Sequence, residues 1–168
     1  ICPLATEPAA KAIFAIEKLP VKFCRGHRYV GGYVGSTAMK DRWVEPMVAK
    51  WVSGIEALAK VARKYPQSAY FGFSQSLQAE WQYLCRIVPD VGQHLVPVEK
   101  AIRELFIPAL LECDVKEVTD DLRQLLSHGS KQGGMNLRIP SLGAARLHQS
   151  SSEASEVLVA SLMGNTTL

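Results

Sequence analysis

The segment GHRYVGGYVGS, at positions 26–36, concentrates residues that can contact a ligand: four glycines, two tyrosines, a histidine and an arginine. A phosphate-binding loop needs a lysine and a serine or threonine directly after its last glycine, because these groups hold phosphate and magnesium. Here Ser36 and Thr37 follow the last glycine, but no lysine comes before Lys40. The glycines also lie within a β-prone run, not where a strand turns into a helix as in dinucleotide-binding folds. The pattern therefore argues against both kinds of nucleotide loop.

Glycines inside a strand more often mark a bulge or the close approach of another backbone. We predict a hairpin that turns at Arg25-Gly26, with VKFC before the turn and the glycine-rich segment as its second strand. In a regular strand alternate residues share one face. One face would then carry His27, Tyr29, Gly31 and Tyr33. The missing side chain at Gly31 would leave a gap in which an extended ligand lies.

Two adjacent carboxylates, Asp120 and Asp121, are of the type that holds magnesium for phosphoryl transfer. They follow Thr119 and precede LRQLL, and acidic residues in the first turn of a helix are stabilised by the helix dipole. We therefore interpret them as the start of a helix capped by Thr119. The four histidines lie far apart and the four cysteines form no CxxC pair, so the sequence predicts no metal site.

Apolar residues recur every three or four positions along most of the chain, which is typical of helices buried on one face. The clearest stripe lies on a long helix from Ser36 or Thr37 to about Lys64, and it consists of Val44, Met47, Val48, Trp51, Ile55, Leu58, Ala59 and Ala62. Further helices are predicted at 6–19, 69–88, 91–109, 120–127, 139–149 and 151–163, the last two separated by a QSSSEAS linker. Trp43, Trp51 and Trp81 are interpreted as packing residues. Short connections favour an antiparallel bundle, so the predicted fold class is mainly α, preceded by a small β-hairpin.

The charge of the chain is unevenly placed, although its formal net value is only +3. Residues 1–64 hold eleven Lys or Arg against five Asp or Glu (+6), whereas residues 65–168 hold eight against eleven (−3). A basic first part could bind a polyanion. The alternative is that these charges form an ordinary solvent-exposed face of the helices. The chain opens on Ile1, so we expect it to belong to a longer protein. Scattered cysteines and the lack of a long apolar run predict an intracellular protein without a membrane span, nuclear or cytoplasmic.

Three segments follow one another in a recognisable order: RGHRYVGGYVGS at 25–36, AEWQYLCRIVPDVGQHLVPVEKAIRELFIPALLE at 79–112, and LLSHGSKQGGMNLRIPS at 125–141. Their order and spacing resemble the region that follows the palm in retrotransposon reverse transcriptases, and the resemblance covers most of the chain. In the third segment the family has a tighter glycine turn. Asn136 stands in that turn here, and we expect it to take the left-handed conformation that a glycine would hold.

The resemblance implies a fragment of a right-hand polymerase fold. Its parts would be the end of the palm with a primer-grip-like hairpin (1–36), a thumb-like helical bundle (37–127) and a C-terminal loop with helices (128–168). The hairpin positions that would lie against the primer are Tyr29, Val30, Gly31 and Gly32. Candidate contacts to the phosphate backbone are Arg28, Lys40, Arg42, Lys50 and Lys60. Such contacts position a duplex without reading its sequence.

Under this resemblance the expected partners are an RNA–DNA or DNA duplex, bound weakly and without sequence preference, and the missing palm of the parent protein. The catalytic aspartates would lie in that palm, so magnesium is expected only there, and no cofactor or catalytic residue is expected in this chain. Whether the chain belongs to an active enzyme stays open. The alternative is a helical protein–protein scaffold with no nucleic-acid role, which the acidic second part favours. A third possibility is a fragment that exposes the apolar surface once covered by the palm.

Overall fold

The computed structural model describes residues 6–16, 18 and 20–164, which fold mainly into helices with one two-stranded hairpin. The predicted fold class is confirmed, with one short helix preceding the hairpin. The helices are α1 (Glu7–Ile16), α2 (Thr37–Ala62), α3 (Pro66–Gly72), α4 (Gln78–Ile87), α5 (Val96–Ala101), α6 (Ile107–Leu111), α7 (Asp120–Ser127) and α8 (Pro140–Leu162). The sequence also predicts a loose tail, GNTTL at 164–168, and residues 165–168 of this segment lie outside the described residues.

The long helix α2 is the centre of the bundle, and the predicted apolar stripe forms its buried side. Six stripe positions are buried: Val44, Val48, Trp51, Ile55, Ala59 and Ala62. Met47 and Leu58 are partly buried and pack against the same core. Pro46 lies inside this helix, which begins at Thr37 as predicted.

Two π-turns widen the helices that pack against α2. Residues Phe73–Leu77 join α3 to α4, and residues Ile102–Phe106 join α5 to α6. The rings of Phe73 and Phe106 stack between the two π-turns with centroids 4.5 Å apart. A π-turn holds one extra residue, which rotates its neighbours out of the regular helical period. Leu105, which follows Val98 and Ile102 at helical spacing, lies in the second π-turn and is 42% exposed.

The glycine-rich segment folds into both strands of the hairpin, β1 (Gly26–Tyr29) and β2 (Gly32–Gly35). The prediction that the hairpin turns at Arg25-Gly26 is wrong, because the chain reverses at Val30-Gly31. These two residues have φ values of 46° and 83°. Positive φ at both central positions gives the two-residue turn whose twist matches the flanking strands. A glycine at the second position makes this turn accessible.

The new turn also changes which residues share a face of the hairpin. Arg28 pairs with Tyr33, and Tyr29 pairs with Gly32. Because directly paired residues lie on the same face and neighbours alternate, Tyr29 and Tyr33 lie on opposite faces. The prediction that placed them on one face is therefore wrong.

The last part of the chain forms one helix, α8, where two helices and a linker were predicted. The serines of the predicted linker bond back to the helix instead of ending it. The hydroxyl of Ser152 donates to the carbonyl of His148 at 3.0 Å, and that of Ser155 donates to the carbonyl of Ser151 at 2.9 Å. No glycine or proline interrupts this stretch, so the helix continues.

Buried polar groups fix the turn between α7 and α8. The Arg123 guanidinium is 2% exposed, and it donates to both carboxylate oxygens of Glu99 at 2.7 Å. It also donates to the carbonyl of Leu137 at 2.6 Å. The amide of Gln78 donates to the carbonyl of Asn136 at 3.0 Å, and Asn136 has the predicted left-handed conformation, with φ of 53°. The predicted cap of α7 is present as well, because Thr119 Oγ1 accepts from the backbone N–H of Leu122 at 3.2 Å.

Candidate nucleic-acid interface

The tip of the hairpin is its most exposed part. Tyr29 is 70% exposed and Val30 is 78% exposed. A β-branched residue with positive φ is unusual, because the branched side chain then crowds the following carbonyl. The hydroxyl of Tyr83 on α4 donates to the carbonyl of Val30 at 3.2 Å. This hydrogen bond ties the turn to the helical body.

Strand β2 packs the hairpin against helices α2 and α4. The ring of Tyr33 stacks on Trp43 of α2 with centroids 5.4 Å apart, and Gly32 is buried beside Ile87 of α4. The hydroxyl of Tyr33 reaches over Gly26, where any Cβ would collide with it. Strand β1 lies outside β2, so its side chains at positions 27–29 are exposed.

The four residues predicted to contact a primer divide into two pairs. Tyr29 and Val30 are exposed at the tip, whereas Gly32 is buried. At Gly31 an added Cβ would lie 2.8 Å from the Tyr83 hydroxyl. The gap that the sequence predicted beside Gly31 is therefore occupied by the chain's own Tyr83, and a ligand would meet the tip and the outer strand instead.

The five predicted phosphate contacts also have different surroundings. Lys50 Nζ lies 3.2 Å from Glu80 Oε2, and Lys40 Nζ donates to the carbonyl of Pro89 at 3.1 Å. The other three, Arg28, Arg42 and Lys60, are exposed and make no ion pair with any residue that the structure describes. These three guanidinium or ammonium groups are available to an external anion.

The basic and acidic residues of α2 lie on different faces of the helix. Successive residues of an α-helix are rotated by about 100° and rise about 1.5 Å, so Arg42 and Lys60 point the same way about 27 Å apart. By the same geometry they lie on the side away from the buried stripe, with Lys50 about 80° from them. The acidic residues of the helix fall on the flank between that side and the buried stripe: Asp41, Glu45 and Glu56. The back of α2 is therefore basic, and one flank is acidic.

Sequence reasoning missed Tyr83 and its neighbour Arg86. Tyr83 is 50% exposed and bonds to the turn, and Arg86 lies three residues further along α4, which places it on the same side of the helix. Arg86 is exposed and makes no ion pair within the described part of the chain. An aromatic residue outside the apolar stripe of a helix was the signal that could have found Tyr83.

The paired aspartates, Asp120 and Asp121, form the first turn of α7. Arg103 donates to the carboxylate of Asp120 at 2.6 Å and to the carbonyl of Val118 at 2.9 Å. Among residues 6–16, 18 and 20–164, no three His, Cys, Asp or Glu side chains are grouped so as to hold a metal ion. Within the same residues, no helix is both long and apolar enough to cross a membrane.

No known protein family matches this chain. The chain also matches no curated protein and no solved structure. A function for it therefore rests on the hairpin, on the charges around the hairpin and α2, and on the order of the sequence motifs.

Proposed function

We propose that this chain is a non-catalytic part of a reverse transcriptase-like retroelement protein, and that it helps to hold a template–primer duplex. The observation that carries the proposal is the exposed hairpin tip, Tyr29-Val30, beside the unpaired Arg28. Tyr29 and Val30 fall at the positions where the resembled family contacts its primer. The order of hairpin, long helix and further helices supports the same assignment.

The chemistry of such a contact is electrostatic and independent of base sequence. Arg28, Arg42 and Lys60 are free to approach phosphates, and each neutralised phosphate releases condensed counterions. Three such contacts give a slope of log K against log salt of at most about −3. Tyr29 adds a flat aromatic surface that can stack on an exposed base or pack against a sugar. Few contacts and a small net charge make the binding weak.

Under this proposal, polymerisation itself belongs to the palm of the parent protein. In-line phosphoryl transfer needs carboxylates that hold two metal ions beside the primer end. Asp120 and Asp121 begin α7, where Asp120 is paired with Arg103. The residues of this chain would therefore orient the duplex backbone and leave the chemistry to the palm, in which magnesium is expected.

Titration of the purified chain with a fluorescently labelled RNA–DNA hybrid tests this function. We expect binding at about 25 mM salt that weakens by up to roughly a hundredfold at about 150 mM salt. A mixed-sequence DNA duplex should bind with similar affinity, because phosphate contacts carry no sequence information. Absence of binding at low salt, or binding that is indifferent to salt, would contradict the proposal.

A helical protein–protein scaffold is the second candidate, and specific contacts favour it. Lys50 is engaged by Glu80, and Lys40 is engaged by the carbonyl of Pro89. These two cations are the less accessible of the predicted phosphate contacts, and the chain beyond residue 64 is acidic. Under this function neither duplex would bind at low salt, which separates the two candidates in the same titration.

A further inference from the structure

A groove of about 550 Å³ runs along α2 on the side that faces the chain segment before α5. The surface of the groove is mostly apolar, and Val48, Val52 and Pro97 contribute to it. The groove lies on the acidic flank of α2, which adjoins the side that carries Arg42 and Lys60. Its lining includes none of the residues assigned to the duplex.

The charged residues that line this groove have one sign. They are Glu45 and Glu56, both exposed, and no Lys or Arg lines the groove. Neither glutamate makes an ion pair with a residue that the structure describes. His94 also lines the groove, and its Nε2 lies 3.0 Å from Asp41 Oδ1. The groove thus keeps two unneutralised carboxylates.

The two carboxylates bracket the apolar part of the groove along one line of α2. Glu45, Ala49, Val52 and Glu56 follow the spacing i, i+4, i+7, i+11, which keeps residues on one side of a helix. At about 1.5 Å rise per residue, the two glutamates lie about 16 Å apart. This length matches about three turns of a second helix laid along the groove.

We propose that this groove, formed by α2 and residues 93–97, docks a basic amphipathic helix from a partner protein. Apolar side chains of the partner at i, i+4 and i+7 would cover Ala49 and Val52, as in other helix-in-groove complexes. Lys or Arg at the two ends of that apolar stripe would pair with Glu45 and Glu56. A nucleic acid would instead bring its phosphates against both carboxylates, and an acidic helix would do the same.

The probe for this proposal is a fluorescein-labelled model helix of about 18 residues with leucine on one face and lysine on the other. The comparison probe has glutamate in place of every lysine. Because the chain carries a net charge of +3, a cationic peptide is repelled overall, and its binding reports a local acidic site. Fluorescence anisotropy gives the dissociation constant of each probe.

Three variants locate the binding. The double variant Glu45→Lys/Glu56→Lys reverses the charge of the groove, and Ala49→Gln narrows the groove without changing its charge. The matched control is Glu153→Lys/Glu156→Lys, which makes the same charge change at exposed positions of α8. Circular dichroism and thermal unfolding check that each variant keeps its fold.

We expect Glu45→Lys/Glu56→Lys to weaken the binding of the lysine peptide by about tenfold or more, equivalent to about 1.4 kcal/mol. The control variant should change the dissociation constant of this peptide by less than about twofold. Ala49→Gln should weaken the binding of the lysine peptide by about threefold. The glutamate peptide should bind the charge-reversed variant more tightly than it binds the native chain. The proposal would be overturned if both double variants lost affinity for the lysine peptide equally. A dissociation constant above about 1 mM for the lysine peptide and the native chain at low salt would also overturn it. Concentration-dependent dimerisation abolished by Glu45→Lys/Glu56→Lys would also overturn it, in favour of a second copy as the occupant.

Discussion

Arg123 joins three parts of the chain through one buried guanidinium. It pairs with Glu99 on α5, and it donates to the carbonyls of Leu137 and Arg138 in the turn before α8. Removing one partner of a buried ion pair leaves an uncompensated charge in the protein interior, which costs more than the pair itself contributes. The sequence offers no pattern that predicts this network, because its partners are 14 to 24 residues apart.

We predict that Arg123→Ala lowers the free energy of unfolding by about 3 to 5 kcal/mol. Arg103→Ala is the comparison, because its carboxylate partner Asp120 has a side chain that is 90% exposed. Exposed ion pairs contribute little, so the Arg103 variant should lose about 1 kcal/mol or slightly more. Urea denaturation of both variants measures the difference, and equal losses would contradict the role assigned to Arg123.

Burial raises the pKa of the Cys85 thiol from 9.0 to about 11. The unfolded chain therefore loses this proton at lower pH than the folded chain does. Between pH 9 and 11 the unfolded state binds fewer protons, so the stability of the fold falls as the pH rises. We predict that this fall, of order 2 kcal/mol, is absent from Cys85→Ala when urea denaturation is compared across the interval under reducing conditions. Parallel pH profiles for the two proteins would show that the thiol is not responsible.

At the scale of elements, the hairpin turn combines one favourable residue and one unfavourable residue. Gly31 suits its φ of 83°, whereas Val30 is β-branched and has φ of 46°. Asparagine is the residue preferred at the first position of this turn type. The sequence predicted a hairpin but not its turn, because Val-Gly is not the usual Asn-Gly signal and Arg25-Gly26 offered a competing glycine.

We predict opposite effects for two substitutions in this turn. Val30→Asn should raise the free energy of unfolding by roughly 0.5 to 1 kcal/mol, since asparagine tolerates the left-handed conformation. Gly31→Ala should lower it by at least about 1 kcal/mol, since it adds backbone strain and a contact with Tyr83. Thermal or urea unfolding measures both, and destabilisation by Val30→Asn would indicate that the turn differs from the one described.

Helix α8 shows a second limit of pattern reading. The run QSSSEAS has the composition of a linker, yet it is helical. The hydroxyls of Ser152 and Ser155 donate hydrogen bonds to the carbonyls four residues earlier in the helix. Composition alone does not reveal such bonds, because the same serines favour turns when they bond to other backbone groups.

We predict that Ser152→Pro breaks α8 and reduces the helical signal at 222 nm, because proline removes a backbone N–H and clashes with the preceding turn. Ser152→Ala should preserve or increase the signal, because alanine is the better helix former. A linker would tolerate both substitutions equally, so equal spectra for the two variants would restore the two-helix interpretation.

At the scale of the whole molecule, the sequence predicted the parts that depend on period and composition. The buried stripe of α2, the capped start of α7 and the left-handed Asn136 are all confirmed. The availability of the cations could not be predicted, because it depends on partners distant in sequence. Lys50, for example, meets Glu80 thirty residues away. The space beside Gly31 could not be predicted to be filled for the same reason, because the side chain that fills it belongs to Tyr83, which is distant in sequence.

The molecule therefore carries two surfaces of opposite charge on one central helix. The back of α2 and the outer strand of the hairpin carry unpaired Arg or Lys, and the flank of α2 with Glu45 and Glu56 borders an apolar groove. A duplex at the first surface and a basic helix at the second would not compete for the same residues. The proposed duplex contact is the central claim, and the groove can be tested independently of it.

The most direct test of that claim is the affinity of a labelled RNA–DNA hybrid for two matched triple variants at low salt. Arg28→Ala/Arg42→Ala/Lys60→Ala removes the unpaired cations of the proposed surface, and Lys116→Ala/Lys131→Ala/Arg146→Ala removes three exposed cations elsewhere. We predict that the first triple weakens binding by about tenfold or more and that the second changes it by less than about threefold. Equal losses in the two variants, or no loss in the first, would contradict a duplex held by the hairpin and α2.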